Sequence, residues 1–264
     1  MKPFRIEFKA QPLLTLDQFF AYAKTCEGLP RLVKKEPHGG KLAIVGGSPS
    51  LSNHLEELKN WPGEIWAINN TAAWLLRHGI ESTFITVDPA PVETFDCTGV
   101  RDALLASFTH PKLREKFEKV QIFDLYEYDK VNGIKGATTT ASRACSLGIH
   151  QGFFDITLFG CEGSFEIGAD HADRSENSPD MFVVKAGDKK YVTYSEYMMQ
   201  SESLSKLILL APNVFKQKSG GLLQGMIENP DTWEIVAVSE TVKRHLIEVN
   251  GDSKLYDVPY EISA

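Results

Sequence analysis

The sequence contains no apolar run long enough to cross a membrane. Leu207–Ala211 is among its longest uninterrupted apolar segments, whereas a membrane-spanning helix needs about 18 or more such residues. Residues 1–7 carry several charges and lack the apolar centre of a secretory signal peptide. We therefore expect a cytoplasmic protein with no membrane span.

Cysteine is scarce and scattered. The four cysteines are far apart and form no Cys-x-x-Cys pair. This spacing argues against a structural zinc site and against a disulfide framework, and it fits a reducing compartment.

Positive charge is in deficit. The chain has 28 Lys and Arg residues against 35 Asp and Glu residues, for a net charge of −7 over 264 residues. A general nucleic-acid surface is therefore not expected. Residues 1–40 have the opposite balance, with 7 basic and 4 acidic side chains. This local excess of positive charge is expected either of a contact surface or of an ordinary solvated arm.

Short apolar runs alternate with helical patterns from Lys41 onwards, and this alternation predicts an α/β fold. We expect a Rossmann-like, doubly wound, mostly parallel sheet with an N-terminal helical extension and a small hairpin insertion. The predicted strands are 41–47, 64–69, 82–87, 103–108, 120–125, 155–160 and 234–238, with a hairpin at 181–184 and 190–194. The predicted helices are 15–27, 51–60, 71–78, 111–117, 138–147, 196–210 and 240–249.

Two segments follow from this pattern: an extension over residues 1–38, and a single Rossmann-like nucleotide-binding domain over residues 39–264. Thr15 is the expected N-cap of the helix in the extension. The extension could pack across a partner subunit in a homo-oligomer, or it could cover one edge of the sheet.

Small polar residues stand where the predicted strands end, and in open α/β sheets ligands bind beyond these carboxyl ends. The first such loop is suited to phosphate, because glycines let the backbone approach closely and helix-start amides attract anions. The alternative is a tight turn with a serine cap. The loop contains Gly46, Gly47, Ser48, Pro49 and Ser50, with either Ser50 or Ser48 as the cap.

Two common nucleotide motifs are missing. The first loop is not Gly-x-Gly-x-x-Gly, no acidic residue stands at the end of the second strand, and no Walker lysine motif occurs. An NAD-dependent dehydrogenase and a P-loop NTPase are therefore disfavoured. Asn69 and Asn70 take the place of the acidic residue. Either could contact a base or ribose, or cap the next helix.

A second hydroxyl-rich loop, Thr138, Thr139 and Thr140, precedes a predicted helix. It could hold another phosphate or a carboxylate, whereas simple capping would use one threonine.

Residues 162–180 concentrate acidic side chains around His171, with Arg174 as the opposing charge. A histidine beside carboxylates can act as a general base near neutral pH, and the carboxylates could bind Mg²⁺. The alternative is an acidic surface loop with an incidental histidine. Candidate metal ligands are Asp88, Glu162, Asp170 and Asp173.

These motifs resemble the 6-hydroxymethylpterin diphosphokinase-like family, which includes bacterial motility accessory factors. The resemblance rests on residues 46–51, 66–71, 75–80 and 86–89, and on 142–148 followed by 156–162. The layout is also similar to bacterial sialyltransferases that use CMP-sialic acid, whose first loop reads Gly-x-Gly-Pro-Ser-Leu.

The resemblance implies roles for individual residues. In the sialyltransferase version, Asn69 or Asn70 holds the nucleotide, Thr139 or Thr140 reaches the donor's charged groups, and His171 is the base. Glu162 stands where those enzymes have aspartate, and their assisting tyrosines have no match in residues 163–170. The diphosphokinase version lacks its denser aspartate cluster, of which Asp88 alone is present.

The leading hypothesis is therefore a nucleotide-binding transferase that moves a glycosyl group from a small-molecule nucleotide donor, CMP- or UDP-linked, with His171 and Glu162 as catalytic residues. The second is a diphosphokinase that uses ATP and Mg²⁺ on a pterin-like acceptor. The third is a non-catalytic ligand-binding protein of prophage or surface-polysaccharide origin.

Overall fold

A computed structural model describes residues 14–125, 133–136, 139–164 and 181–238. Within these ranges the chain forms ten strands: β1 (His38–Val45), β2 (Glu64–Ile68), β3 (Thr83–Thr86), β4 (Asp102–Ala106), β5 (Lys119–Phe123), β6 (Phe153–Phe159), β7 (Met181–Ala186), β8 (Lys189–Tyr194), β9 (Phe215–Gln217) and β10 (Glu234–Val238).

Seven of these strands form one parallel sheet in the order β5-β4-β3-β2-β1-β6-β9. The chain builds outwards from β1 to β5, then returns to place β6 against the other side of β1. This reversal is the switch point of a doubly wound fold. The predicted α/β Rossmann-like class is confirmed.

Helices cover both faces of the sheet. They are α1 (Leu16–Lys24), α2 (Leu55–Lys59), α3 (Thr71–Arg77), α4 (Thr140–His150), α5 (Ser195–Leu210) and α6 (Gly221–Glu228). Strand side chains alternate between the faces: Leu42 and Ile44 share a core with α4, while Ala43 and Val45 share one with α3. Among the described helices, none is both long and apolar enough to span a membrane.

Two predicted helices are largely 3-10 helices instead. The segment after β1 is a 3-10 helix, Pro49–His54, followed by the five-residue α2, and the segment before β5 is a 3-10 helix, Pro111–Lys116. Each begins with proline, which sets the first backbone angle but donates no hydrogen bond. Apolar spacing alone did not distinguish these tighter turns from an α-helix.

The predicted hairpin is present as β7 and β8, and β10 pairs with β7 to complete a separate three-stranded antiparallel sheet. The short edge strand β9 was not predicted. The predicted helix at 240–249 lies outside the described residues.

The described part of the extension covers a sheet edge. Thr15 caps α1 through a capping box with Gln18, as predicted, although α1 ends at Lys24 rather than residue 27. Arg31 then forms a parallel bridge with Ile122 of β5, and the Leu32 amide donates to the Ile122 carbonyl at 2.8 Å. These bonds blunt the exposed edge of β5. Packing across a partner subunit stays a prediction.

Phe19 attaches α1 to the sheet, because its ring lies 4.5 Å from that of Phe108 and only 6% of the residue is exposed. We expect Phe19→Ala to lower the free energy of unfolding by about 3 kcal/mol, because it removes a buried aromatic side chain and leaves a cavity. Phe20, 57% exposed, is the matched control and should change it by less than about 0.5 kcal/mol. Chemical denaturation of both variants measures this difference, and equal effects would contradict it.

Candidate functional site

The predicted strand-end loops meet at the carboxyl edge of the sheet. Strand β1 lies between β2 and β6, and Val45 is in register with Ala67 on one side and Phe159 on the other. The loops that follow these three strands are therefore neighbours. The N-terminus of α4 lies at the same edge, because α4 leads directly into the start of β6 and packs against β1 and β6.

Two glycines bring β1 and β6 together at this edge. A Cβ atom on Gly46 would lie 2.4 Å from the Gly160 carbonyl oxygen, and a Cβ on Gly160 would lie 2.3 Å from that of Gly46. Gly160 also has a φ of +60°, which L side chains rarely adopt. This close approach requires glycine at both positions.

The same contact occupies two backbone amides of the first loop as hydrogen-bond donors. The Gly46 amide donates to the Phe159 carbonyl at 2.8 Å, and the Ser48 amide donates to the Gly160 carbonyl at 3.2 Å. Proline at 49 has no amide hydrogen. The predicted anion site in this loop is thereby narrowed to the amides of Gly47, which is partly exposed, and Ser50.

The two serines of the loop have different surroundings. Ser48 is the N-cap residue with Pro49 first in the helix, as one of the two predicted arrangements has it, but its side chain makes no capping bond. The residue is buried, with 8% of its surface exposed. The Ser50 Oγ atom is buried without a hydrogen-bond partner in the described structure.

The structure distinguishes Asn69 from Asn70. The Asn70 side chain holds a neighbouring segment: its Nδ2 donates to the Thr94 carbonyl at 3.3 Å, and its Oδ1 accepts from the Asp96 amide at 2.9 Å. Asn70 makes no side-chain cap on α3. Asn69 has a left-handed φ of +52°, and its Oδ1 is buried without a partner in the described structure.

Asp88 forms a local turn after β3. Its Oδ1 accepts a hydrogen bond from the Ala90 amide at 2.9 Å, and its own amide donates to the Thr86 hydroxyl at 2.9 Å. This is the pattern of an Asx turn, which needs no ligand.

At the start of α4, Thr139 is the N-cap and its hydroxyl accepts from the Ser142 amide. Thr140 is buried, and Thr138 lies outside the described residues. Sequence reasoning missed Arg143, which is only 3% exposed and donates from Nη1 to the Ile134 carbonyl. The signal in the sequence was a positively charged residue in the first turn of a helix made otherwise of small and apolar residues.

Glu162 is the most unusual group at this edge. It is 6% exposed, and its Oε1 has no hydrogen-bond partner in the described structure. Burial raises the pKa of the Glu162 carboxyl to about 7, and the influence of the Ser48 side chain and of its own backbone limits the rise. A carboxyl with this pKa can take or release a proton near neutral pH.

The α6 segment encloses Glu162, which the sequence did not indicate. The Leu223 amide donates to the Glu162 carbonyl at 2.9 Å, and a Cβ on Gly221 would lie 2.5 Å from the Glu162 Cβ. The Ser219 and Gly220 amides donate to Gln217 Oε1. The Ser219–Gly221 segment is therefore a turn that packs against Glu162 with both of these amides in use.

The candidate metal ligands do not form one described cluster. Asp88 follows β3 and Glu162 follows β6, with β2 and β1 between them; at about 4.8 Å per strand the two carboxylates are too far apart to share one ion. Among the described residues, no group of three acidic, histidine or cysteine side chains could hold a metal. His171, Asp170 and Asp173 lie outside the described residues.

Two cavities lie at the opposite edge, where strands begin. One of about 540 Å³ is lined by Glu64, Thr83 and Asp102 among others, and one of about 980 Å³ lies between the extension and the same strand starts. Charges beside the first cavity pair with one another, as Arg101 does with Glu81. Ligands of doubly wound sheets bind at the carboxyl edge instead.

The pattern of one protein family matches residues 17–168, more than half of the chain. That family is described as 6-hydroxymethylpterin diphosphokinase MptE-like. This chain belongs to the MptE-like family. No curated protein sequence matches it.

Two solved structures are similar to this MptE-like chain. One is the MAf glycosyltransferase from Magnetospirillum magneticum AMB-1, with a TM-score of 0.60 and 14% identity over 77% of this chain. This chain spans 36% of the length of that structure. The other is a mammalian sialyltransferase in complex with Gal-beta-1-3GalNAc-ortho-nitrophenol, with a TM-score of 0.32, 11% identity, and coverage of 78% of this chain and 87% of that one. The first likeness confirms the fold.

Gly160→Ala tests the contact between the two central strands. We expect a loss of about 3 kcal/mol in the free energy of unfolding, from left-handed strain and from overlap with the Gly46 carbonyl. Gly79 has a φ of +78°, and nothing lies within 4 Å of the position that an added methyl group would take, so Gly79→Ala should lose only the strain, about 1 kcal/mol. Urea unfolding of both variants separates these contributions, and equal losses would refute the overlap.

Glu162→Gln tests the buried carboxyl through stability. The folded pKa of about 7 lies above the ordinary value of 4.5, so the folded state holds a proton that the unfolded state releases between these values. Stability should therefore fall as pH rises from 4.5 to 7. The variant removes this fall, and its stability relative to the natural chain should increase by about 3 kcal/mol between pH 4 and pH 8. Unfolding curves at the two pH values measure it; a pH-independent difference would contradict it.

Proposed function

We propose that this chain forms the donor site of a glycosyl-transferring enzyme and binds a nucleotide-linked sugar at the carboxyl ends of β1, β2 and β6. The observation that supports this most is a set of three buried polar atoms without partners in the described structure: Ser50 Oγ, Asn69 Oδ1 and Glu162 Oε1. They follow three adjacent strands. Each such atom costs about 1–3 kcal/mol when left unsatisfied, and a bound ligand would recover that energy.

The chemistry of these atoms favours one orientation of the ligand. An amide oxygen and an ionised carboxylate only accept hydrogen bonds, so they match the hydroxyl and amino groups of a nucleoside or sugar. A phosphate beside Glu162 would meet a like charge. We therefore place the hydroxyl-bearing part of the donor near Asn69 and Glu162, and its phosphate near Gly47 and the start of α4, where helix amides favour an anion.

The catalytic roles that we propose follow from this placement of the hydroxyl-bearing part of the donor and of its phosphate. His171 is proposed as the base that deprotonates the acceptor hydroxyl. Glu162, with its pKa near neutrality, is proposed to hold the donor and to exchange a proton during transfer. Helix amides at Thr139 and Thr140 would meet the negative charge that develops on the leaving phosphate. The similar MAf protein is named a glycosyltransferase, which supports this reaction class.

The family description favours a second candidate, a diphosphokinase acting on a pterin-like acceptor with ATP and Mg²⁺. Calorimetry separates the two functions. A donor site for nucleotide sugars should bind CMP or UDP without a metal ion, whereas the diphosphokinase should bind ATP only with Mg²⁺. A chain that binds neither would support the third hypothesis, a non-catalytic ligand-binding protein.

Asn69→Gly tests the proposed donor site directly. Glycine keeps the left-handed backbone and removes only the side chain, so we expect CMP or UDP affinity to fall about tenfold or more with little loss of stability, since one hydrogen bond is worth about 1.4 kcal/mol or more in a buried site. Calorimetric titration measures the affinity.

Asn70→Ala is the matched control. Its side chain holds the Thr94–Asp96 segment, so this variant should lower the melting temperature and leave affinity within about twofold, since it removes two ordinary hydrogen bonds remote from the ligand. Equal loss of affinity in the two variants would contradict the assignment of Asn69.

A further inference from the structure

Two tyrosines stack on each other at the start of α5, where Tyr194 is the N-cap residue and Tyr197 lies in the first turn. Their ring centroids are 4.4 Å apart, with an angle of 26° between the ring planes. We propose that this pair is a binding platform for the sugar of the donor, with the nucleoside on the opposite side of β1. The inference rests on the proposed function and adds to it which part of the donor lies where.

The topology brings the start of α5 to the carboxyl edge of the sheet. Helix α5 leads through a short turn into β9, and β9 runs parallel to β6. The end of α5 therefore lies at the edge where the strands begin. Its 16 residues span about 24 Å, which is long enough to reach from that edge back to the edge where β6 ends.

Two contacts hold the start of α5 next to Glu162. The Thr193 hydroxyl donates to the Gly163 carbonyl at 2.7 Å. A Cβ atom on Gly163 would overlap Ser201 Oγ and would lie 2.9 Å from the Tyr197 carbonyl oxygen, so α5 packs directly on the Gly163 backbone. Since Gly163 follows Glu162 in the chain, the tyrosine pair and Glu162 are neighbours at this edge.

The chemistry of a stacked tyrosine pair suits a sugar. The face of an aromatic ring carries partial negative charge, and it attracts the C–H hydrogens that a pyranose ring presents on one side. The tyrosine hydroxyl at the ring edge can hydrogen-bond to sugar hydroxyls. Tyr194 and Tyr197 are both partly exposed, and the neighbouring Glu162 carboxylate accepts hydrogen bonds from hydroxyl groups.

This placement separates the two ends of the donor. Asn69 follows β2 and Glu162 follows β6, so the two residues lie on opposite sides of β1. The proposed function places the donor phosphate near Gly47, which follows β1 itself. With the tyrosine pair beside Glu162, the sugar lies at the end of β6 and the nucleoside at the end of β2.

The test is calorimetric titration of the full chain with UDP-galactose, UDP-N-acetylglucosamine and CMP-sialic acid, each compared with its bare nucleotide. Tyr197→Leu should lower the affinity for the nucleotide sugar by about fivefold, as loss of one aromatic contact does, and leave the affinity for the bare nucleotide within about twofold. Tyr197→Phe keeps the ring face and should restore the affinity. Tyr22, whose ring lies 5.5 Å from that of His110, supplies the control: Tyr22→Leu should change neither affinity.

An unchanged affinity of folded Tyr197→Leu protein for the nucleotide sugar overturns the proposal. An equal loss for the bare nucleotide also overturns it, because the tyrosines would then contact the nucleoside. If Tyr197→Leu does not fold, Tyr194→Leu should show the same selective loss, and its absence overturns the proposal equally. A natural chain that binds the bare nucleotides alone overturns it as well.

A natural chain that binds neither the nucleotides nor the nucleotide sugars shows that the proposed function is wrong. Saturation-transfer NMR with the methyl glycosides of the same three sugars then decides the platform by itself. Sugar signals that Tyr197→Leu abolishes uphold the platform. The absence of such signals, or signals that the variant leaves unchanged, overturns it.

Discussion

The contact between Gly46 and Gly160 is the constraint on which the rest of this edge depends. It lets β1 and β6 continue in register to their last residues, with each backbone lying where the other's side chain would be. The chain then leaves both strands within hydrogen-bonding distance, so the Ser48 amide reaches the Gly160 carbonyl. Because side chains are absent there, the backbones of the two loops that follow these strands approach each other directly.

The candidate site contains several features that lower the stability of the fold, and the surrounding packing has to offset them. Glu162 is buried with one oxygen unsatisfied, and Asn69 adopts a left-handed backbone with a buried, unsatisfied amide oxygen. Such features persist only where neighbouring structure fixes them. Here α4 supplies that support on one face of the sheet and α3 on the other, through two continuous apolar cores.

The sequence predicted the fold well because buried parallel strands appear as short apolar runs between helical patterns. The prediction failed where the local sequence preference is weak. Segments that begin with proline form 3-10 helices rather than α-helices, and the three-residue β9 is too short to show the alternation of apolar residues typical of a strand. The meeting of the strand-end loops at the carboxyl edge of the sheet was also predictable. The hydrogen bond from the Ser48 amide to the Gly160 carbonyl was not, because more than 100 residues separate them. Nor could sequence choose between adjacent Asn69 and Asn70, whose difference lies in the backbone angle.

The charge distribution at this edge bears on what the site can bind. The described loops offer acceptors, hydroxyls and few free amides, while the buried Arg143 donates to the Ile134 carbonyl just before α4. A ligand consisting mainly of phosphate would gain little from such acceptors. A ligand with hydroxyl or amino donors at one end and phosphate at the other would satisfy the strand ends and the helix start together. The acceptor-rich strand ends and the helix start that favours an anion are therefore two distinct parts of one sheet edge.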